Sequence, residues 1–165
     1  MNSWQREAQK KFIPPEKLEG CIQHLRAQGK TIASLNGSFD LLHAGHLYMI
    51  FEASKVADIL LIAVNSDASV KKYKGTTRPI ISLPQRLEML AALSFVDYLT
   101  WFDEEDPRSI LQVIRPDIHV NGEEYGKDCI EADVVKRVGG KLHLVNRIPG
   151  LATSEVIEKI LNLCV

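Results

Sequence analysis

Two histidines three residues apart are the side chains in this sequence best suited to chemistry. His43 and His46 lie in the run 37–46, GSFDLLHAGH. In a helical turn, residues at this spacing share one face about 5 to 6 Å apart, so two imidazole rings can grip one anion from two points. Such donors suit the charge that develops on phosphate oxygens during nucleotidyl transfer, which needs positioning and no covalent nucleophile. Two ligands of an incomplete zinc site are the alternative.

The glycines that flank the histidines point to the same kind of ligand. Gly37 and Gly45 lack side chains, which lets the backbone approach a ligand closely. A helix that begins near His46 directs free N–H groups and a partial positive charge at the same place. The whole run follows a predicted strand, the position at which sheets of this type bind phosphate.

Strand-like and helix-like patterns alternate along the 165 residues, a length that fits a single domain. The run 58–65, DILLIAVN, is continuously apolar, as expected for a strand buried on both faces. Strands are predicted at 31–36, 58–65, 96–102, 117–121 and 141–145, and helices at 16–28, 46–57, 66–72, 84–93, 107–114, 130–138 and from 153. The pattern predicts an α/β fold: a Rossmann-like, doubly wound five-stranded parallel sheet with right-handed crossovers, whose ligands bind beyond the carboxyl ends of the strands.

The composition excludes several classes of protein. Twenty basic and 21 acidic residues give a net charge of −1, which offers no electrostatic footprint for a nucleic acid. The polar start, MNSWQREAQKKF, is unlike a secretory signal, and no run approaches the roughly 18 apolar residues of a membrane span. Cys21, Cys129 and Cys164 form no CxxC pair and are expected to be reduced. We therefore expect a cytoplasmic protein with no nucleic-acid or membrane partner.

The run 36–46, NGSFDLLHAGH, resembles the HxGH signature of the nucleotidyltransferase superfamily. From about Leu25 to Ile157 the chain is most similar to the nucleotidyltransferase domain of bacterial heptose-1-phosphate adenylyltransferases, which make ADP-heptose for lipopolysaccharide. Glycerol-3-phosphate cytidylyltransferases are the next most similar. On this resemblance, residues 1–28 are an N-terminal leader and helix and residues 29–165 are the nucleotidyltransferase domain.

The resemblance implies a reaction. A nucleoside monophosphate passes from an NTP to a phosphorylated small molecule, and pyrophosphate is released. ATP and a sugar 1-phosphate such as heptose 1-phosphate are the preferred pair, with CTP and glycerol 3-phosphate, or another phosphorylated alcohol, as the alternative. The resemblance also implies Mg²⁺ carried by the nucleotide, with no direct metal ligand from the protein, and a homodimer.

The resemblance also assigns roles to basic residues. His43 and His46 contact the triphosphate and stabilise the transition state, and Lys74 is the third catalytic group. Lys74 and Arg78 lie in a segment, KYKGTTRPIIS, that is predicted to be a mobile loop. Arg78 is assigned to the substrate loop, which closes over an anion and excludes water. A solvated basic loop is the alternative for both residues.

The remaining candidates lie at strand ends and helix starts, and each has a structural alternative. Asp40 orients its loop, holds the magnesium nucleotide through water, or only forms a turn. Asn65 and Asp67 bind the ligand or cap a helix, as do the residues that open the last helix, and Arg86 is a ligand contact or a helix-surface arginine. The nucleotide- and phosphate-binding candidates are Gly37, Ser38, Phe39, Asp40, Gly45, Asn65, Asp67, Arg86, Asn121, Gly122, Arg147, Thr153 and Ser154.

Two departures from the heptose enzymes bear on the substrate. Ala152 stands where a hydroxyl residue usually opens the last motif, and Asn121 stands where the stretch VKGGDY has lysine. The acidic pair after Gly122, Glu123 and Glu124, is closer to the GDD segment of the glycerol-phosphate and ethanolamine-phosphate cytidylyltransferases. These departures leave open a nucleotide-binding module that has lost turnover.

Overall fold

The computed structural model describes residues 2–146 and 153–163 and confirms the predicted α/β sheet. The strands are β1 (Ile32–Gly37), β2 (Ile59–Asn65), β3 (Tyr98–Phe102), β4 (Ile118–Gly122) and β5 (Lys141–Val145). The helices are α1 (Ser3–Gln9), α2 (Pro15–Ala27), α3 (Ala44–Ser54), α4 (Asp67–Lys74), α5 (Leu83–Ala91), α6 (Arg108–Ile114), α7 (Ala132–Arg137) and α8 (Thr153–Leu163). A short 3-10 turn, Glu123–Tyr125, follows β4.

The strand order is β3-β2-β1-β4-β5, and all four neighbouring pairs are parallel. The chain builds outward from β1 in one direction, then crosses to β4 and builds in the other. The helices that follow β1 and β4 consequently cover opposite faces: Ile50 of α3 packs in one core cluster, and Val134 of α7 packs in the other. A sheet of this kind has its crevice between these two strands, at their carboxyl ends.

The apolar side chains of β2 pack into the hydrophobic clusters on both faces of the sheet. Leu60 and Ile62 face the cluster that contains α3, whereas Leu61 and Ala63 face the cluster that contains α2, α6 and α7. All four side chains are at most 1% exposed. This alternation is the reason why a strand with no polar positions before its last residue is stable only in the middle of such a sheet.

A polar pair ties β1 to β4 beneath the crevice. Ser34 Oγ lies 2.7 Å from His119 Nδ1, and both residues are fully buried. Burial lowers the pKa of His119 to about 4, so this ring is neutral at pH 7. The pair fixes the spacing of the two strands whose ends line the crevice.

The N-terminal segment packs on the same sheet. Leu18, Ile22 and Leu25 of α2 lie in a core cluster, and Phe12 pairs with Leu99 beside the edge strand β3. Helix α1 was not anticipated, because its sequence is polar and carries only Ala8 into the core. Its capping box at Asn2 supplies the missing local signal: the Asn2 side chain accepts a hydrogen bond from the Gln5 N–H at 2.8 Å.

Two helix boundaries near the crevice differ from the prediction. Helix α3 begins at Ala44, two residues before the predicted start, which makes His43 its N-cap residue. Helix α4 runs to Lys74 instead of Lys72, capped by Ser66 and ended by Gly75 at φ +89°. The prediction of a mobile loop from Lys72 is therefore wrong for Lys72 to Lys74, because the helix continues until a residue with positive φ ends it.

Candidate active site

A cavity of about 1080 Å³ opens at the carboxyl ends of β1, β2 and β4. This volume is at the upper end of the range of roughly 300 to 1,000 Å³ for small-molecule sites. The predicted residues that line it are Gly37, Ser38, Phe39, His43, Gly45, His46, Asn65, Lys74, Arg78, Asn121 and Thr153. Asp40, Asp67, Arg86 and Gly122 are not among its lining residues. Arg147 lies outside the described residues, as does the side chain of Ser154.

The two histidine rings stack on one another at the cavity wall. Their centroids lie 3.8 Å apart with an interplanar angle of 28°, closer than the predicted 5 to 6 Å. His43 has extended backbone as the N-cap of α3, which lets its ring fold back over the ring of His46 in the first turn. Phe39 meets His46 edge-on, with centroids 5.5 Å apart, and supports the stack from the protein side. The geometry brings both imidazoles to one place, as the spacing predicts.

His46 is neutral at pH 7. Burial is the main cause, and the neighbouring His43 and Lys74 add to it, so that the pKa of His46 falls to about 4. The backbone N–H of His43 donates to His46 Nδ1 at 3.4 Å. A neutral imidazole that accepts at Nδ1 carries its proton on Nε2. His46 therefore presents an N–H donor without a resident positive charge.

Lys74 spans the cavity mouth from the end of α4. Its Nζ donates to Ser38 Oγ at 3.0 Å and lies 5.4 Å from the centroid of the Tyr73 ring. Burial and the positive charge of Arg78 lower the pKa of Lys74, against an opposing effect of Asp40. A cation held at the last turn of a helix is better fixed than one on a free loop. The residue itself is exposed, so its hydrogen bond to Ser38 is what holds the ammonium at the cavity wall, where it can meet a phosphate.

Asp40 fastens the loop that follows α4. Its buried carboxylate accepts from Arg78 Nε at 2.7 Å and from the N–H groups of Ile80 and Ile81 at 2.9 Å. Burial alone would raise the pKa of Asp40, but the two N–H groups and the guanidinium outweigh it, and the pKa lies below its usual value. The geometry supports the loop-orienting alternative for this residue, since its oxygens face protein donors.

The turn around Asp40 is held in an unusual backbone conformation. Phe39 and Leu41 have φ values of +48° and +56°, in the left-handed region that residues with side chains rarely adopt. A Cβ at Gly37 would lie 3.2 Å from the Phe39 ring. The glycine therefore makes room for Phe39. It also lines the cavity, and its use for the close approach of a ligand stays a prediction.

Arg86 is a buried brace. Its guanidinium donates to the carbonyl oxygens of Ile81 (3.0 Å), Asn65 (2.8 Å) and Ser38, and to Asp67 Oδ1 (2.8 Å). Its side chain has no exposed surface. Because these donors are spent on protein oxygens, the arginine joins the ends of β1 and β2 to α5. The helix-surface alternative is wrong, and the geometry places Arg86 behind the residues that line the cavity.

Asp67 shares that supporting layer, whereas Asn65 reaches the cavity. Asp67 Oδ1 accepts from the Leu83 N–H at 2.8 Å as well as from Arg86, so it joins α4 to α5. Asn65 is buried at the end of β2, lines the cavity and donates to Ser69 Oγ at 2.9 Å. At the end of β4, a Cβ on Gly122 would collide with the carboxylate of Glu124.

Thr153, at the start of α8, contacts the loop between β1 and α3. Its hydroxyl donates to the Asp40 carbonyl oxygen at 3.3 Å, and the residue lines the cavity. The first turn of α8 therefore faces the same space as His43 and His46. This placement supports the predicted third phosphate-binding element as far as the described residues reach.

Glu131 is a cavity residue that the sequence analysis missed. It precedes α7, is 6% exposed and lines the cavity. Asn36 Nδ2 donates to its Oε1 at 3.4 Å, and Asn121 Nδ2 donates to its Oε2 at 3.3 Å. No local motif marks this glutamate, because the contacts that bury it come from residues 95 and 10 positions away.

The described residues form neither a metal cluster nor a membrane span. Within 2–146 and 153–163, no three His, Cys, Asp or Glu side chains converge as a metal site. Over the same residues, no helix has the length and apolar character needed to cross a membrane.

The chain matches a known protein family and several curated proteins. Residues 34–158 match a family model described as cytidylyltransferase-like. The bifunctional protein HldE of Syntrophotalea carbinolica is 40% identical over 148 residues, which cover 89% of this chain and 30% of that protein. HldE of Wolinella succinogenes is 38% identical over 160 residues, covering 96% and 33%. The chain thus spans about a third of the length of the curated relatives it matches.

Two solved structures are similar in fold. A lipopolysaccharide core biosynthesis protein from Thermoplasma volcanium superposes with a TM-score of 0.58 at 28% identity, over 73% of this chain and 98% of that one. A pantoate-beta-alanine ligase from Francisella tularensis, complexed with an ATP analogue and beta-alanine, gives a TM-score of 0.61 at 17% identity, over 92% and 78%. The second likeness shows the fold alone.

Proposed function

This chain belongs to the cytidylyltransferase-like family of nucleotidyltransferases, and from that premise we propose that it transfers AMP from ATP to a sugar 1-phosphate such as heptose 1-phosphate, releasing pyrophosphate. One observation carries the proposal: a stacked pair of imidazoles at the start of α3 shares a cavity wall with Lys74. The preference for a sugar phosphate rests on the HldE relatives and on the lipopolysaccharide core biosynthesis protein of similar fold.

The proposed reaction is an in-line displacement at the α-phosphorus. An oxygen of the acceptor phosphate forms the new P–O bond, and the bond from the α-phosphorus to the bridging oxygen of pyrophosphate breaks. The acceptor oxygen is already ionised at pH 7, because the second pKa of a phosphate monoester is about 6. No general base is needed, and the protein's task is to position the groups and to stabilise charge.

The residues around the histidine pair match that task. His43 and His46 are proposed to donate to phosphate oxygens as negative charge grows on them, and Lys74 to neutralise the departing pyrophosphate. A neutral His46 would stabilise the transition state more than the bound substrate, because its hydrogen bonds strengthen as the charge on the phosphate oxygens rises. Arg78, fixed by Asp40 at the same wall, is proposed to contact a phosphate at the substrate loop.

Mg²⁺ is proposed to arrive with the nucleotide. Its preferred ligands are oxygens of carboxylate, water and phosphate, and the triphosphate itself offers several. When bound there, the ion supplies neutralising charge on the phosphates. The described residues fit this mode, because their cavity wall offers donors to phosphate oxygens.

Two other functions stay open on specific observations. The acidic residues after β4, Glu123 and Glu124, favour CTP with glycerol 3-phosphate or another phosphorylated alcohol, as in the enzymes that they resemble. Ala152 and Asn121 favour a nucleotide-binding module without turnover. We place the enzyme in the cytoplasm, where ATP and sugar phosphates are available, and we keep the homodimer as a prediction.

A nucleotide-by-acceptor screen tests the proposal. Each NTP, labelled at the γ-phosphate, is offered with heptose 1-phosphate, other sugar 1-phosphates and glycerol 3-phosphate, and labelled pyrophosphate is measured. We expect the largest rate with ATP and a sugar 1-phosphate. A faster rate with CTP and glycerol 3-phosphate would replace it by the cytidylyltransferase. Nucleotide binding by calorimetry with no pyrophosphate from any pair would instead support the module.

A further inference from the structure

The cavity has two chemically different sides. We call the side formed by His43, His46, Lys74 and Arg78 the histidine side, and the side formed by Asn36, Asn121, Glu124 and Glu131 the Glu131 side. The first side offers N–H donors and positive charge. The second offers two amides and two carboxylates. A substrate that is anionic at one end and rich in hydroxyl groups at the other is expected to place its anionic end at the histidine side.

Glu131 is the best-fixed polar group on its side. Its two carboxylate oxygens bridge the ends of β1 and β4, because Asn36 donates to one and Asn121 donates to the other. The thiol of Cys129 also hydrogen-bonds with this side chain. The carboxylate therefore lies across the crevice between β1 and β4, where the strand order reverses. Ligands of such folds bind at this point.

Within residues 2–146 and 153–163, the donors to Glu131 are few and weak. The amide hydrogen bonds are long, at 3.3 and 3.4 Å, and a thiol is a weak donor. None of the described lysines, arginines or histidines forms an ion pair with it. A carboxylate has about four acceptor positions, and a nearly buried one needs donors to offset the loss of water. Phosphate has none to offer and is repelled.

From these observations we infer that Glu131 binds a sugar hydroxyl of the substrate and so sets its direction in the cavity. The inference rests on the proposed function, because it takes a nucleotide and a sugar phosphate as the occupants. The hydroxyl belongs to the nucleotide's ribose or to the acceptor sugar, since both present the same chemistry. Asn121 then has a specific use: in place of a lysine, its amide holds the carboxylate across the crevice.

Substrate analogues that lack one hydroxyl test the inference without any mutation. ATP is compared with 2′-deoxy-ATP and 3′-deoxy-ATP, and heptose 1-phosphate is compared with its monodeoxy analogues, by calorimetry and by kcat/KM. We expect one deoxy compound to bind roughly 10- to 100-fold more weakly, the usual size of a hydrogen bond to a charged group. A loss with deoxy-ATP identifies the ribose, and a loss with a deoxy acceptor identifies the acceptor sugar.

The variant Glu131→Gln separates recognition from structure. We expect it to bind the full substrate as weakly as the wild type binds the deoxy compound, to lose the discrimination between the two, and to bind inorganic pyrophosphate as the wild type does. Glu19→Gln, an exposed glutamate on α2, is the matched control and should change none of these values. A purely structural Glu131 would weaken pyrophosphate and nucleotide binding by the same factor.

The outcomes divide clearly. Equal binding of every deoxy compound by the wild type overturns the inference, as does a Glu131→Gln variant that keeps the wild-type discrimination. A poorly folded variant leaves the wild-type comparison to decide. If no pair yields pyrophosphate and yet calorimetry still shows dependence on a sugar hydroxyl that Glu131→Gln abolishes, the proposed function fails and the inference stands.

Discussion

The two sides of the cavity are built with different stiffness. On the histidine side, the supporting contacts are short and charged: Asp40 accepts from Arg78 at 2.7 Å, and Arg86 donates to the Asn65 carbonyl at 2.8 Å. On the Glu131 side, the amide contacts to Glu131 measure 3.3 and 3.4 Å. All four contacts involve a charged group, and hydrogen-bond strength falls with length. The supports of the histidine side are therefore the more rigid ones, whereas the carboxylate proposed to read the sugar is held more loosely.

The largest effect is expected from removing the brace of the rigid side. Arg86→Gln leaves Asp67 without its buried cation and three carbonyl oxygens without their donor. The side chain of Asp67 is 39% exposed and can turn to water, so the main cost lies in the carbonyl oxygens. A buried acceptor without a donor costs about 1 to 3 kcal/mol, and with three of them affected we expect a loss of about 3 to 5 kcal/mol in the free energy of unfolding measured with urea. Arg6→Gln, an exposed residue of α1, is the control. A loss below 1 kcal/mol would mean that the rigid side does not depend on Arg86.

The next effect concerns the chemistry of the rigid side. His46→Ala is expected to raise the activation barrier by about 2.7 to 4 kcal/mol, the range for one preorganised donor, seen as a 100- to 1,000-fold lower kcat. KM should change less, because the hydrogen bond matures as charge develops. His24→Ala on the exposed face of α2 serves as the matched change. A reduction of less than tenfold would exclude the assigned role.

A smaller loss of stability is expected at the anchor of the substrate loop. Asp40→Asn weakens the contacts to Arg78, Ile80 and Ile81 and should lower the free energy of unfolding by about 2 kcal/mol at pH 7. Because folding lowers the pKa of Asp40, its contribution is complete above the unfolded value of about 3.9 and disappears as the pH falls through the folded value. Urea unfolding of the wild type and the variant at pH 7 and pH 3 measures the loss of stability and its dependence on pH.

The matched control for that change is Asp133→Asn, an exposed aspartate of α7. It should leave the unfolding free energy within about 0.5 kcal/mol of the wild type. An Asp40→Asn protein whose stability deficit is the same at pH 3 as at pH 7 would contradict the proposed anchor.

The smallest expected effect is a change in the pKa of His46 when an anion binds on the histidine side. The pKa of His46 is about 4 in the free protein, and a nearby anion favours the protonated ring. We expect pyrophosphate to raise that pKa by about one unit or more, equal to about 1.4 kcal/mol of added interaction. NMR titration of the imidazole with and without pyrophosphate measures the change. An unchanged pKa would place the phosphates away from the histidine side.

The fold was predictable because its signals are local. The apolar run of β2 and the alternation of elements along the chain are enough to predict the parallel sheet. The run 37–46 marks the proposed reaction centre for the same reason, since glycines, histidines and the helix start are adjacent in sequence. Helix α1 and the last turn of α4 were missed because polar residues there carry little periodicity, and helix ends depend on caps.

The supporting residues could not be predicted in the same way. Nothing near Arg86 in the sequence says that it is buried, because its partners Ser38, Asn65 and Asp67 come from two distant segments. Glu131 likewise depends on Asn36, which is distant in sequence. Both residues are placed by tertiary contacts that only the folded chain brings together. Sequence therefore predicts the groups that act better than the groups that hold them.

The turn from Phe39 to Leu41 has a consequence for engineering. Its central carboxylate fixes the loop with Arg78, and its central carbonyl receives the hydroxyl of Thr153. A graft that crossed this turn would disturb three segments at once. Exchange of residues 123–131 with those of another enzyme touches none of these contacts. A change of substrate is therefore best sought by transplanting that stretch while residues 37–46 are left unaltered.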